Sequence, residues 1–245
     1  MSDQQLPKVT IFSFLGWLGN AFKIFYSKFI PLMLISFTFL VLFVIIFLAS
    51  AKGPDSFIFS SFISGLLSMV FPLTLSGLTI ASNAYLKQQP VSIPDALLTP
   101  FRFYNLRLII VYSLLILVLS FATRYLALTF PLYANEISYA MGAILAFLQL
   151  VILVAIPMNV NNQGKFLPFH TLFYAIKNIA KNFIPCLLFI LVIFALLLVV
   201  ILIAQLASKV LGQYALILYV FELWFFATWI SLSSVLMTNA INGYK

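Results

Sequence analysis

The chain has 245 residues, of which 64% are hydrophobic, 17% aromatic and only 7% charged, and it carries a formal charge of +8. Soluble domains are about 25% charged, and a water-facing surface of this size could not be covered with so few ionised groups. Composition therefore excludes a soluble globular domain. The basic residues are scattered singly between apolar runs, which excludes the clustered basic face of a nucleic-acid binder and leaves membrane lipids as the surrounding medium.

The first predicted element covers residues 10–27. Gly16, Asn20, Lys23 and Ser27 recur there at spacings of three and four in a stretch otherwise rich in Ile, Phe, Leu and Trp. This is the pattern of an amphipathic helix with a narrow polar stripe, suited to a membrane surface. A membrane-crossing helix needs roughly 20 mostly apolar residues. Six runs qualify, at 29–49, 56–78, 106–128, 133–158, 183–206 and 214–237. The first ends in Ala49-Ser50-Ala51, which resembles a signal-cleavage site. It is too long for a signal h-region of about 7–15 residues, so an uncleaved anchor is expected. Pro72 and Pro157 fall inside the second and fourth runs, where kinks are expected.

The links after the first, third and fifth runs are short. Those after the second and fourth are longer and hold structure of their own. In the first of these, Ser92 is positioned as an N-cap, Pro94 suits a first helical turn and Pro100 limits the helix. In the second, residues 169–182 repeat the stripe design, with His170, Tyr174, Lys177, Asn178 and Lys181 expected on one side.

The N-terminal segment and the longer links carry Lys8, Lys23, Lys28, Lys87, Arg102, Arg107, Lys165, Lys177 and Lys181, and Lys245 follows at the end. The short links and their flanks carry Lys52, Arg124 and Lys209. The positive-inside rule then predicts both termini in the cytoplasm, which an even number of spans also requires. The expected fold class is all-α: a polytopic membrane protein whose six transmembrane helices form three pairs, with amphipathic interfacial helices on the cytoplasmic side.

Ala21, Lys23, Phe29, Ile30 and Pro31 recur at a constant offset as Ala175, Lys177, Phe183, Ile184 and Pro185. Within the single membrane domain 1–245, this suggests repeated units at 10–90, 91–165 and 166–245, the middle one matching in layout only. Small residues four apart line the second run (Ser56, Ser60, Ser64 and Ser68, with Ser61 and Gly65 alongside). They line the fourth as well (Ala134, Ser138, Gly142 and Ala146). Such stripes let helix backbones approach closely in lipid. Packing within the bundle is the simpler use, with a homodimer face or a polar lumen as alternatives.

Of the acidic residues Asp3, Asp55, Asp95, Glu136 and Glu222, only Glu222 falls well inside a run. An intramembrane acid must be paired, protonated or wet. Arg124 is the basic residue that could reach it within the bundle, and a Glu222–Arg124 contact is an expectation; a proton or cation site is the alternative. Gln149 and Gln205 stand singly. His170 is the only histidine and Cys186 the only cysteine. Neither can build a zinc site or a nucleophile–base pair alone. No phosphate loop, metal-binding motif or catalytic set is present, so no cofactor and no enzymatic activity are expected.

Phe25-Tyr26-Ser27-Lys28-Phe29-Ile30-Pro31, continuing to Ser36, resembles the start of the first span in the YciC-like family of proteobacterial inner-membrane proteins. Residues 81–110, with Gln88-Gln89-Pro90-Val91-Ser92 and Pro94-Asp95-Ala96-Leu97, are similar to that family's second cytoplasmic link, and residues 154–185 to the next. The resemblance implies an inner-membrane location and carries no active-site residues. The functional expectation is a non-enzymatic inner-membrane protein in envelope maintenance, or a subunit of a membrane complex, with a membrane protein or a second copy as partner. The alternative is a small transporter, channel or lipid-handling protein built around Glu222.

Overall fold

A computed structural model describes residues 9–51, 53, 57–212 and 215–243. Asp3, Lys8, Lys52, Asp55, Ser56, Tyr214 and Lys245 lie outside them. The described residues form α1 (Ser13–Ser27), α2 (Phe29–Ala51), α3 (Phe57–Leu86), α4 (Ile93–Leu98), α5 (Phe103–Thr129), α6 (Ala134–Asn161), α7 (Pro168–Lys181), α8 (Phe183–Leu211) and α9 (Ala215–Asn242). One 3₁₀ turn, Thr99–Phe101, follows α4, and another, Pro131–Tyr133, precedes α6. Six of these helices (α2, α3, α5, α6, α8 and α9) are long and apolar enough to cross a bilayer. The chain is an all-α polytopic membrane protein.

Local chemistry explains the shorter elements. Ser92 Oγ accepts the Asp95 N–H at 3.4 Å and caps α4, and beyond Thr99 the backbone tightens around Pro100. The α1–α2 corner at Lys28 (φ −126°, ψ 34°) and the α7–α8 corner at Asn182 (φ −117°, ψ 38°) have nearly the same backbone. In each, the residue four positions on, Leu32 or Cys186, donates its N–H back to the corner carbonyl. Pro31 and Pro185 then fall in the first turn of the following helix, where a missing N–H costs nothing.

The helices form two layers. Helices α3, α6 and α9 touch one another and make an inner trio; α2, α5 and α8 pack outside it. Burial follows this order: 56% of the best-scoring apolar window of α3 and 47% of that in α9 are buried, against 11% in α8. Each short helix lies on the inner helix of the pair before it, α4 on α3 and α7 on α6. Helix α1 lies on α9, the inner helix of the last pair, so the ring closes. Trp229 Nε1 donates to the Leu18 carbonyl at 3.2 Å across that closing contact.

In lipid there is little hydrophobic drive between helices, so close approach and interhelical hydrogen bonds carry the packing. The small-residue stripe of α3 is used in this way against α5. Ser60 Oγ meets Arg124 Nη1 at 2.7 Å, a Cβ on Gly65 would lie 3.1 Å from Leu117, and Ser68 Oγ meets Ser113 Oγ at 3.2 Å. The α6 stripe has a different fate: Ser138, Gly142 and Ala146 are exposed on the flank of the bundle. Pro157 lacks the N–H that would bond the Leu153 carbonyl, and Thr238 Oγ1 of α9 donates to that oxygen at 3.4 Å.

Candidate functional site

The inner helices run past the ends of their apolar sequence runs, α3 to Leu86, α6 to Asn161 and α9 to Asn242. Each extension carries an asparagine, and the three meet. Asn83 Nδ2 donates to Asn161 Oδ1 at 2.7 Å, Asn161 Nδ2 to Asn239 Oδ1 at 2.9 Å, and Asn239 Nδ2 to Asn83 Oδ1 at 3.3 Å. Asn83 and Asn161 are 78 positions apart, as are Asn161 and Asn239. The result is a closed ring of three carboxamides, one from each inner helix, at the end of the bundle that also holds α1, α4 and α7.

Further amides surround the ring. Asn159 Nδ2 donates to Asn105 Oδ1 at 2.8 Å and to the Tyr104 carbonyl at 3.1 Å, and Asn105 Nδ2 donates to the Thr99 carbonyl at 2.9 Å. Asn178 Nδ2 donates to Asn242 Oδ1, and Asn182 Oδ1 accepts the Val9 N–H at 3.2 Å. Asn178, expected on the polar face of α7 with His170, Lys177 and Lys181, is instead buried. It sits at the margin of that stripe, eight residues and about 80° round the helix from His170, where pairing with Asn242 turns it inward. Arg107 donates from Nη2 to the Phe166 carbonyl at 3.2 Å and the Gly164 carbonyl at 3.4 Å, with its guanidinium over the Phe103 ring. Gly164 has φ +69°, and a Cβ there would lie 2.1 Å from Tyr104 Cβ. Only glycine fits that turn.

Above the ring opens a cleft of about 450 Å³. The three asparagines form its floor, and Lys87, Gln89, Asp95 and Gln163 contribute to its walls. Below the ring, one and two turns further in on the same helices, lie Thr79, Pro157 and Val235, then Ser76, Val154 and Leu232. All six are buried. The Thr79 hydroxyl is satisfied by its own helix through the Leu75 carbonyl at 2.7 Å. The Ser76 hydroxyl is buried with no hydrogen-bond partner among the described residues, so the amide cleft is floored by buried layers of four apolar and two hydroxyl residues.

Glu222 and Arg124 are not brought together. Arg124 lies on α5 and donates to Ser60 of α3. Glu222 lies about two turns from the start of α9, in an open groove of about 330 Å³ walled by Leu196, Val199 and Ile203 of α8, Phe22 of α1 and Trp229. Its Oε2 is buried and has no hydrogen-bond partner among the described residues. His170 is exposed and Cys186 buried. Among the described residues no three His, Cys, Asp or Glu side chains cluster.

Carboxamides do not titrate, and each offers two N–H donors and two acceptor lone pairs. The ring spends one donor and one acceptor per residue. What remains can bind polar groups but cannot transfer a proton. Fold and site together define a six-span helical membrane protein with an amide-lined cleft at one end. No family model, curated protein or solved structure matches the chain.

Proposed function

We propose that this chain is a non-enzymatic, multi-pass protein of a bacterial inner membrane, acting in envelope maintenance or as a subunit of a membrane complex. One observation carries the reading. The amides of the bundle close on one another at one end and rest on buried layers of four apolar and two hydroxyl residues, as in a scaffold rather than a conduit. Lys23, Lys28, Lys87, Arg102, Arg107, Lys165, Lys177 and Lys181 belong to the segments at that end, which supports its placement in the cytoplasm together with both termini. The resemblance to the YciC-like family supports the same location.

The test is reciprocal affinity purification from membranes in mild detergent, with mass spectrometry. The expected result is a stoichiometric membrane-protein partner that returns the chain when tagged itself. Solute flux through the protein alone in liposomes would overturn the reading. A second reading, transport or lipid handling at Glu222, is favoured by its buried Oε2, which has no hydrogen-bond partner among the described residues. That reading expects the flux to disappear in Glu222→Gln.

A further inference from the structure

The amide cleft is concave, half polar, and placed where the inner helices end. We propose that it binds the phosphoethanolamine head group of a membrane phospholipid. The cleft presents both charge signs: Lys87 and Asp95 line it together. Asp95 is only loosely engaged by Arg102 at 3.9 Å, and both of those side chains are about half exposed or more. A primary ammonium matches the Asp95 carboxylate and the unspent carbonyl lone pairs of Asn83, Asn161 and Asn239. A phosphodiester matches the Lys87 ammonium and the unspent amide N–H groups.

The same lining argues against other head groups. A trimethylammonium has no N–H to give to Asp95. A purely anionic head group would place its charge against that carboxylate. The lipid source follows from the surroundings. A second cleft, of about 470 Å³, adjoins the first across Leu86, Gln89 and Pro90 and reaches Lys28 at the foot of α2. Beyond Lys28, Phe29 and Ile30 are exposed and apolar. The head group sits over the asparagine ring, the glycerol crosses the Leu86–Gln89–Pro90 lip, and the acyl chains descend along the start of α2. This site is separate from Glu222 and does not depend on any protein partner.

The full chain, delipidated in detergent, is titrated with dioleoyl phosphatidylethanolamine, phosphatidylcholine and phosphatidylglycerol and followed by native mass spectrometry. Phosphatidylethanolamine is expected to bind at least about fivefold more tightly than the other two. Lys87→Ala and Asp95→Asn should each erase that preference without changing the melting temperature, because both side chains are exposed. Lys87→Arg should retain it. Glycerophosphoethanolamine should compete only at concentrations about a hundredfold higher. Equal binding of the three lipids, a preference for phosphatidylglycerol, or a selectivity that survives both substitutions would overturn the proposal. Competition by the soluble head group at equal concentration would overturn its lipid source.

Discussion

Asn161 donates to Asn239 at 2.9 Å while accepting from Asn83 at 2.7 Å, so one side chain ties together all three inner helices. Asn161→Ala leaves an N–H on Asn83 and a carbonyl on Asn239 without partners. The expected loss is about 1–3 kcal/mol, the cost of orphaned polar groups in a partly buried site. Asn239→Ala should cost a similar amount. The double variant should cost clearly less than the two together, because the ring is already broken by the first change. Reversible unfolding in mixed micelles measures all three, and strict additivity would contradict a shared ring.

Gly164 and Gly212 both have positive φ, +69° and +55°, but only Gly164 has a close neighbour in Tyr104. Gly212→Ala should therefore cost about 1–3 kcal/mol, from backbone strain alone, because φ +55° with ψ −127° lies outside the left-handed helical region. Gly164→Ala should cost more, since Tyr104 must move and the carbonyls that accept from Arg107 move with the turn. Thermal melts in detergent rank the two. A Gly164→Ala protein as stable as Gly212→Ala would show that the turn yields freely.

The Thr238 hydroxyl compensates for Pro157 by donating to the Leu153 carbonyl at 3.4 Å. Thr238→Val should destabilise by roughly 0.5–1.5 kcal/mol. In a Pro157→Ala background the helix supplies its own N–H to Leu153, and the same substitution should become nearly neutral. An unchanged penalty in that background would assign the Thr238 effect to packing.

Ser68 and Ser113 face each other with hydroxyls 3.2 Å apart. Replacing both by cysteine in a Cys186→Ser background should give an α3–α5 disulfide on mild oxidation, visible as a mobility shift after protease treatment between the helices. With the hydroxyl oxygens 3.2 Å apart, two sulfurs in their place need approach by only about 1 Å more to reach the S–S bond length of about 2.05 Å. Gly142→Cys paired with Ser113→Cys should stay reduced within one chain, because among the described residues no atom of another helix lies within 4 Å of a Cβ at Gly142.

Replacing Glu222 tests whether its carboxylate is structural. With Oε2 buried beside apolar side chains of α8 and α9 and lacking a partner among the described residues, Glu222→Leu should leave the melting temperature unchanged or raise it. A fall of several degrees would mean that the carboxylate holds the α8–α9 contact.

The six spans were legible because lipid imposes a length and an apolar character that show in any window of about 20 residues. The end caps at Ser92, Pro94 and Pro100 were legible because capping is local. The asparagine ring was not. Asn83, Asn161 and Asn239 stand just past the apolar runs 56–78, 133–158 and 214–237, where polar residues usually mark a link, so those runs stop before all three. The constant spacing of 78 between identical residues was the signal that could have found them. The two stripes of small residues looked alike along the chain, yet one packs on α5 and the other faces outward, because neighbours in three dimensions decide which face is covered.

Composition and periodicity alone determined that this protein is a helical bundle of six spans with short amphipathic helices at one end. Those properties follow from the solvent that each stretch must satisfy by itself. Only the tertiary structure decided that α1 closes the ring on α9, that Glu222 and Arg124 face different helices, and that three distant asparagines share one site. Each of these depends on which helices become neighbours, and that choice is made by the fit of whole surfaces rather than by any local run of residues.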